Sequence, residues 1–154
     1  MTPFQPTGYS SISPYLIVRG AEAAIRFYAT VLDATERMRI PGPGGRIGHA
    51  ELQVGDCVIM LADEAPEHAA LAPPEGGASH LTLHVYVPDA DAAVEAALQA
   101  GSRLIRPVET MFYGDRLGTI LDPFGHTWHL STHVEDVSAE ELQRRAAAQT
   151  GAAT

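Results

Sequence analysis

The sequence contains a single cysteine, Cys57, and no long apolar run. One thiol cannot form an internal disulfide, and neither a CxxC motif nor a cysteine-histidine finger is present, so we expect a reducing, cytoplasmic compartment. A membrane-spanning helix needs about twenty apolar residues, and no stretch approaches that length. The start of the chain has neither basic residues nor an apolar stretch, which argues against a targeting segment.

Positive charge is also scarce. Ten Lys and Arg residues stand against nineteen Asp and Glu residues, which gives a net charge of −9. This balance, without any basic run, argues against nucleic acid and anionic membranes as partners. Hydrophobic residues make up 45% of the 154 residues, enough for one globular core. The unusual feature of the composition is its seven histidines. Their positions in the predicted strands indicate which side chains could bind a ligand.

The order of predicted elements repeats once along the chain. An apolar strand at 15–19 precedes a helix with apolar residues at helical spacing, and three strands follow it, at 37–40, 49–54 and 57–62. After a Pro- and Gly-rich linker, the same order returns as a strand at 80–87, a helix at 91–100 capped by Asp89, and strands at 103–108, 116–122 and 127–132. We therefore divide a domain at 11–137 into unit one (11–64), a linker (65–79) and unit two (80–137), followed at 138–154 by a polar helix and a frayed tail.

Two tandem β-α-β-β-β units define the predicted fold class, α+β. One helix covers only one face of a four-stranded sheet, so each unit keeps an open face and open edges. We expect the units to pair as curved mixed sheets around a cleft, with the helices on the outer face. The open edges also predict a homodimer.

Strand alternation suggests which side chains line that cleft. In the strand 80–87, His80, His84 and Tyr86 share one face, while leucines and valines share the other. His129 in the last strand and His49 in the strand 49–54 also lie opposite the aliphatic faces. For any one histidine, an ordinary hydrogen-bonded or surface position remains the alternative.

The tracts PYLIVRGAEAAIRFY at 14–28 and FYGDRLGTILDPFGHTWHLSTHVEDV at 112–137 resemble the vicinal oxygen chelate superfamily. This superfamily includes glyoxalases, bleomycin-resistance proteins and extradiol dioxygenases, and the YGDR and DPFGH motifs are similar to its PhnB-like subgroup. The resemblance implies the tandem fold, but the superfamily contains both enzymes and ligand-binding proteins. Beside a cleft mouth, Tyr113 and Arg116 would hold a planar or anionic ligand, and Phe124 would offer an aromatic platform.

The same resemblance permits a test for a metal. The four ligand positions of metal-dependent relatives fall at Pro14, Ile59, Thr82 and His129, of which only His129 is a good ligand. We therefore expect no metal cofactor at these positions. A different divalent-metal site remains open as an alternative, built from His49, Glu51, His80, His84 or His129.

The sequence thus predicts a protein that binds a small, partly aromatic molecule in a histidine-lined cleft, as in drug sequestration or transport. The alternative is a lyase, isomerase or dioxygenase that uses a metal or histidine acid-base chemistry, so enzymatic activity remains open. Nothing supports a methyltransferase, because no Gly-rich strand-to-helix loop for a nucleotide-like cofactor is present.

Overall fold

The computed structural model describes residues 1–151, which form two four-stranded mixed sheets and three α-helices. The chain groups into two compact units. The first comprises Met1–His80 together with Pro123–His126, and the second comprises Leu81–Asp122 together with the chain from Thr127 onward. The tandem α+β organisation predicted from the sequence is confirmed.

The first unit follows the predicted element order. Its elements are β1 (Tyr15–Val18), α1 (Ala21–Leu32), β2 (Thr35–Pro41), β3 (Ile47–Val54) and β4 (Cys57–Asp63). The strands lie in the order β1-β4-β3-β2, in which β1 runs parallel to β4 and the other pairs are antiparallel. The first and last strands of the unit are therefore neighbours.

The first core lies between α1 and one face of this sheet. Tyr28 of α1 is fully buried together with Leu52 and Leu61. Asp63, at the end of β4, fixes the start of the helix, because its Oδ1 accepts hydrogen bonds from the backbone N–H groups of Gly20 (3.0 Å) and Ala21 (2.8 Å). A carboxylate in this position satisfies free N–H groups and complements the helix dipole.

The second unit repeats this architecture. Its elements are β5 (Thr82–Tyr86), α2 (Ala90–Gln99), β6 (Arg103–Thr110), β7 (Asp115–Leu121), β8 (Thr127–His133) and α3 (Ala139–Gly151). The strand order is β5-β8-β7-β6, again with a parallel first and last strand. The strand begins at Thr82, so His80 lies in an exposed bend before β5 rather than within it.

Small residues let α2 approach its sheet closely. The helix buries Ala90, Ala93 and Ala97, and a Cβ atom on Gly118 of β7 would lie only 2.9 Å from a Val94 methyl carbon. The predicted cap is confirmed, since the Asp89 carboxylate accepts the Ala92 backbone N–H at 3.0 Å. The helix is thereby held against one face of β6, β7 and β8.

Two connecting segments pack within the first unit. The linker contains a single 3-10 turn, Pro66–His68, and the Pro73 carbonyl accepts a hydrogen bond of 2.7 Å from Arg19. In the turn Pro123–His126, the His126 ring donates from Nε2 to the Ile17 carbonyl at 3.0 Å. His126 is therefore a buried structural residue, as its position after a turn glycine indicated.

The predicted C-terminal helix begins with a cap, because the Ser138 hydroxyl accepts the Glu141 backbone N–H at 3.2 Å. α3 continues to Gly151, and the last three residues of the predicted frayed tail, 152–154, lie outside the described residues. No helix within residues 1–151 is long and apolar enough to cross a membrane.

Gly114 of the YGDR motif occupies a position where a side chain would not fit. Its φ is +101°, and a Cβ atom there would overlap the backbone carbonyl of Glu135. We expect Gly114→Ala to lower the free energy of unfolding by roughly 2–5 kcal/mol, through backbone strain and overpacking, as measured by urea denaturation.

The matched control is Gly44→Ala, since Gly44 also has a positive φ (+67°) but a Cβ atom added to it would meet no heavy atom within 4 Å. Strain alone should cost about 1 kcal/mol there. Equal losses in the two variants would contradict the role assigned to the contact with Glu135.

Candidate ligand-binding site

Two imidazoles meet on the face of the second sheet opposite α2. The parallel register pairs His84 of β5 with His129 of β8, and the antiparallel register pairs His129 with Thr119 of β7. The two imidazole centroids are 5.9 Å apart, and the Tyr86 ring lies 5.0 Å from that of His84. We call this surface, defined by His84, Tyr86, Thr119 and His129, the imidazole face.

His129 is held by a single hydrogen bond. Its Nδ1 lies 2.8 Å from the Thr119 hydroxyl, which leaves Nε2 without a hydrogen-bond partner among residues 1–151. Burial lowers the pKa of His129, and the nearby His84 and Arg106 lower it further. The ring is therefore neutral at neutral pH and offers one nitrogen to a ligand.

A buried carboxylate anchors one end of the imidazole face. Asp115 is 5% exposed, and it accepts hydrogen bonds from the Tyr86 hydroxyl (2.9 Å) and from His133 Nδ1 (2.7 Å). Burial raises the pKa of Asp115, but the bonds from His133 and Tyr86 outweigh this effect, so its pKa lies below the ordinary value of 3.8. The bond to Asp115 raises the pKa of Tyr86, which keeps the phenol protonated.

His133 lies between two carboxylates. Its Nε2 lies 2.9 Å from an oxygen of Asp136, while Nδ1 contacts Asp115. The bonds to Asp115 and Asp136 raise the pKa of His133 above the ordinary value of 6.5, which favours the charged ring. The Asp115 carboxylate is therefore already hydrogen-bonded by Tyr86 and His133, which weakens its repulsion of an anionic ligand.

Sequence reasoning missed part of this cluster. Arg116 was expected to hold a ligand beside Tyr113, but successive residues of β7 point to opposite faces, so Arg116 and Asp115 diverge. Arg116 instead pairs with Asp91 of α2 at 2.5 and 2.7 Å. Alternation along DRLGTIL would have placed Asp115 and Thr119 together with the cleft residues, whereas His133, at the strand end, depended on where β8 stops.

The other predicted site residues are distributed over both units. Tyr113 is half-buried, and burial and the charge of Asp115 raise the pKa of its phenol. Phe124 lies in the first unit, with its ring 5.9 Å from that of Phe27 of α1. His49, also in the first unit, bonds to the Tyr15 hydroxyl and to Glu51. Trp128 is buried and donates to Asp122, so it is a core residue.

The donor set does not fit the metal site of metal-dependent relatives. Pro14 has no side-chain donor, and Ile59 is buried and pairs with Leu52 on the face covered by α1. The inferred position was one residue out of register, because it is Met60 that pairs with Glu51 on the opposite face. Within residues 1–151, no three His, Cys, Asp or Glu side chains converge as a metal site would require.

The model of the Glyoxalase/Bleomycin resistance protein/Dioxygenase superfamily matches residues 10–130. With a match over most of its length, this chain belongs to that superfamily. It is also 38% identical over 136 residues to an uncharacterized protein of Mycobacterium bovis, and the similarity covers 86% of this chain and 90% of the relative.

Solved structures share the fold at low sequence identity. The fosfomycin resistance protein FosX from Mesorhizobium loti matches with a TM-score of 0.62 and 19% identity, over 88% of this chain and 97% of that one. A PhnB protein from Bacillus cereus matches with a TM-score of 0.63 and 17% identity, over 80% and 99% of the two chains. At these identities the likeness concerns the fold and not the reaction.

The contacts of His133 predict a pH-dependent contribution to stability. Because the pKa of His133 is raised on folding, its pairing stabilises the protein fully below the ordinary value of 6.5 and is lost as the pH rises through the raised pKa. We expect His133→Gln to lower the Tm more at about pH 6 than at about pH 9, as followed by circular dichroism.

The control is His68→Gln, which removes an exposed imidazole outside this cluster. Its effect on the Tm should be small at both pH values. A loss for His133→Gln that is the same at both pH values would contradict the charged pairing.

Proposed function

We propose that this superfamily member binds a small, partly aromatic molecule, uncharged or anionic, on the imidazole face. The observation that carries the proposal is the pairing of His84 with His129, with a free Nε2 on His129. Neutral imidazoles can donate or accept a hydrogen bond, and the Tyr86 and His84 rings offer flat surfaces to an aromatic group. Such a mixture of ring surface and few polar groups is typical of a ligand pocket.

The electrostatics of the imidazole face favour a neutral or negative ligand. Asp115, the carboxylate at its end, is buried and is already bonded by Tyr86 and His133. Arg106 is near enough to His129 to lower the pKa of that histidine, so a positive charge contributes to the local field. The net charge of −9 acts from a distance and is screened over about 8 Å at physiological ionic strength.

We infer a carrier or drug-sequestration role, in which the ligand is held and not transformed. The family description includes bleomycin resistance, and one structural neighbour is a fosfomycin resistance protein. The YGDR and DPFGH motifs and the likeness to a PhnB protein support placement in the PhnB-like subgroup. We further propose a cytoplasmic homodimer, on the basis of the unpaired Cys57 and the open sheet edges.

An enzymatic role is the second candidate, and one observation favours it. The lowered pKa of His129 keeps its imidazole neutral and able to accept a proton from a bound molecule at neutral pH. A lyase, isomerase or dioxygenase of this superfamily with His129 as general base would satisfy this chemistry. Turnover of a ligand that binds to wild type, abolished by His129→Ala, would favour this candidate over a carrier.

Ligand binding is tested by titration calorimetry with phenol, salicylate and benzoate. We expect at least one of these probes to bind, and His84→Ala or His129→Ala to weaken its binding by about 1 kcal/mol, roughly fivefold in Kd, through loss of a hydrogen bond. The control His68→Ala removes an exposed histidine of the first unit and should leave Kd unchanged. If neither site variant differs from this control, the proposal is wrong.

The absence of a metal cofactor is tested separately. Protein purified without added metal or chelator should contain far less than one equivalent of zinc, nickel or iron by mass spectrometry. Of the inherited positions, Pro14, Thr82 and His129 include only one good ligand, and neither Ile59 nor its neighbour Met60 adds a nitrogen or oxygen donor. Near-stoichiometric metal that disappears in His129→Ala would contradict this expectation.

A further inference from the structure

The first unit contains a cavity of about 580 Å³ beneath its amino-terminal segment. Residues of that segment form most of the wall, including Phe4 and Tyr9, and Glu51 of β3 and Met60 of β4 complete it. The volume lies within the roughly 300–1,000 Å³ that small-molecule pockets occupy. All the residues that line this cavity belong to the first unit, whereas the imidazole face is built from residues of the second unit.

Glu51 is the charged residue of the cavity wall, and only 5% of it is exposed. Its Oε2 accepts a hydrogen bond of 2.6 Å from the Tyr9 hydroxyl, and its Oε1 lies 3.3 Å from His49 Nε2. These bonds, with that of Tyr9 first, hold the pKa of Glu51 below its ordinary value of 4.5 despite burial. The carboxylate is therefore ionised at neutral pH.

The hydrogen bonds to Glu51 come from a phenol and an imidazole. His49 Nε2 contacts Glu51, and His49 Nδ1 lies 2.9 Å from the Tyr15 hydroxyl. Among residues 1–151, His49 is the one side chain within ion-pair distance of Glu51, and no Arg or Lys forms an ion pair with it. A carboxylate accepts about four hydrogen bonds, so lone pairs remain for a further donor.

Arg37 influences Glu51 through its charge, but its side chain contacts other groups. It lies over the Tyr9 ring at 4.6 Å from the centroid and donates to the Gly8 carbonyl (3.3 Å) and to Gln53 (3.4 Å). Its charge lowers the pKa of Glu51 less than the two hydrogen bonds and the charge of His49 do. A buried carboxylate that no Arg or Lys contacts is stabilised by a cation brought by a ligand.

We propose that this cavity binds a small organic cation, with its ammonium group at Glu51 and its apolar or aromatic body against Phe4, Tyr9 and Met60. The Phe4 side chain is fully exposed and offers free ring surface in the wall of the cavity that Glu51 also lines. Aromatic rings and a carboxylate together are the groups that recognise ammonium ligands. The net charge of −9 favours the approach of a cation to the protein.

The proposal is tested by titration calorimetry with benzylamine and benzyltrimethylammonium, and with benzyl alcohol as the neutral comparator. We expect at least one cation to bind more tightly than benzyl alcohol, and Glu51→Gln to weaken its binding by at least about tenfold, because the charge is lost while the shape is kept. Glu75→Gln removes one exposed carboxylate from the linker and should change Kd by less than about twofold.

Two further variants separate the charge of Glu51 from its structural role. Tyr9→Phe removes the hydrogen bond from the Tyr9 hydroxyl to Glu51 but keeps the aromatic ring and the carboxylate. This variant should therefore bind the cation at least as tightly as wild type. Phe4→Ala changes an exposed side chain, leaves the core intact and should weaken binding about threefold or more. If Glu51→Gln does not fold, which circular dichroism would reveal, the Phe4→Ala result decides.

Failure of this proposal is distinguishable from failure of the function proposed above. Cation binding should persist in His129→Ala, which removes a residue of the second unit. The cavity proposal is overturned if neither cation binds, if Glu51→Gln and Tyr9→Phe lose binding equally, or if Phe4→Ala binds as tightly as wild type.

Discussion

The parallel pairing of β5 with β8 determines the chemistry of the second unit. It brings together the first and last strands of the repeat, which carry His84 and His129 in register. Because α2 covers one face of the sheet, the apolar residues Val85 and Leu130 also form a pair, and the imidazoles occupy the other face. One backbone constraint thus produces both the core and the candidate site. A shift of one residue in β8 would exchange the two sets of side chains.

The same constraint explains which features were predictable. Alternation identified His84 and His129 because each lies in the middle of a strand with one helix-covered face, where a period of two is reliable. The Asp89 cap and the two-unit order were predictable because they depend on local spacing. The Ile59 assignment lies one residue out of register because it was transferred between strands of equal length that follow turns of different length.

Other contacts had no local signal. Tyr9 lies in irregular chain, and nothing in its neighbours indicates that its hydroxyl bonds to Glu51, 42 residues away. The ring of Phe124 packs against α1 of the first unit although its motif belongs to the second repeat. Irregular segments lack a period that would assign a side chain to a face, so such contacts follow only from the folded chain.

The two units satisfy a buried carboxylate in the same chemical way, but from positions that the duplication does not relate. Glu51 is bonded by Tyr9 and His49, and Asp115 is bonded by Tyr86 and His133. In the first unit the tyrosine comes from irregular chain, whereas in the second it comes from the first strand. A phenol and an imidazole thus supply two hydrogen bonds at each buried carboxylate.

The two carboxylates then differ in what remains available to a ligand. His133 also contacts Asp136, and the bonds to Asp115 and Asp136 raise its pKa, which favours an imidazolium beside Asp115. His49 contacts the Tyr15 hydroxyl and Glu51, and Glu51 lines a cavity. The two histidines therefore differ in their second partner, which is an aspartate for His133 and a tyrosine for His49, so a repeated fold can surround its buried carboxylate with different charges in each unit.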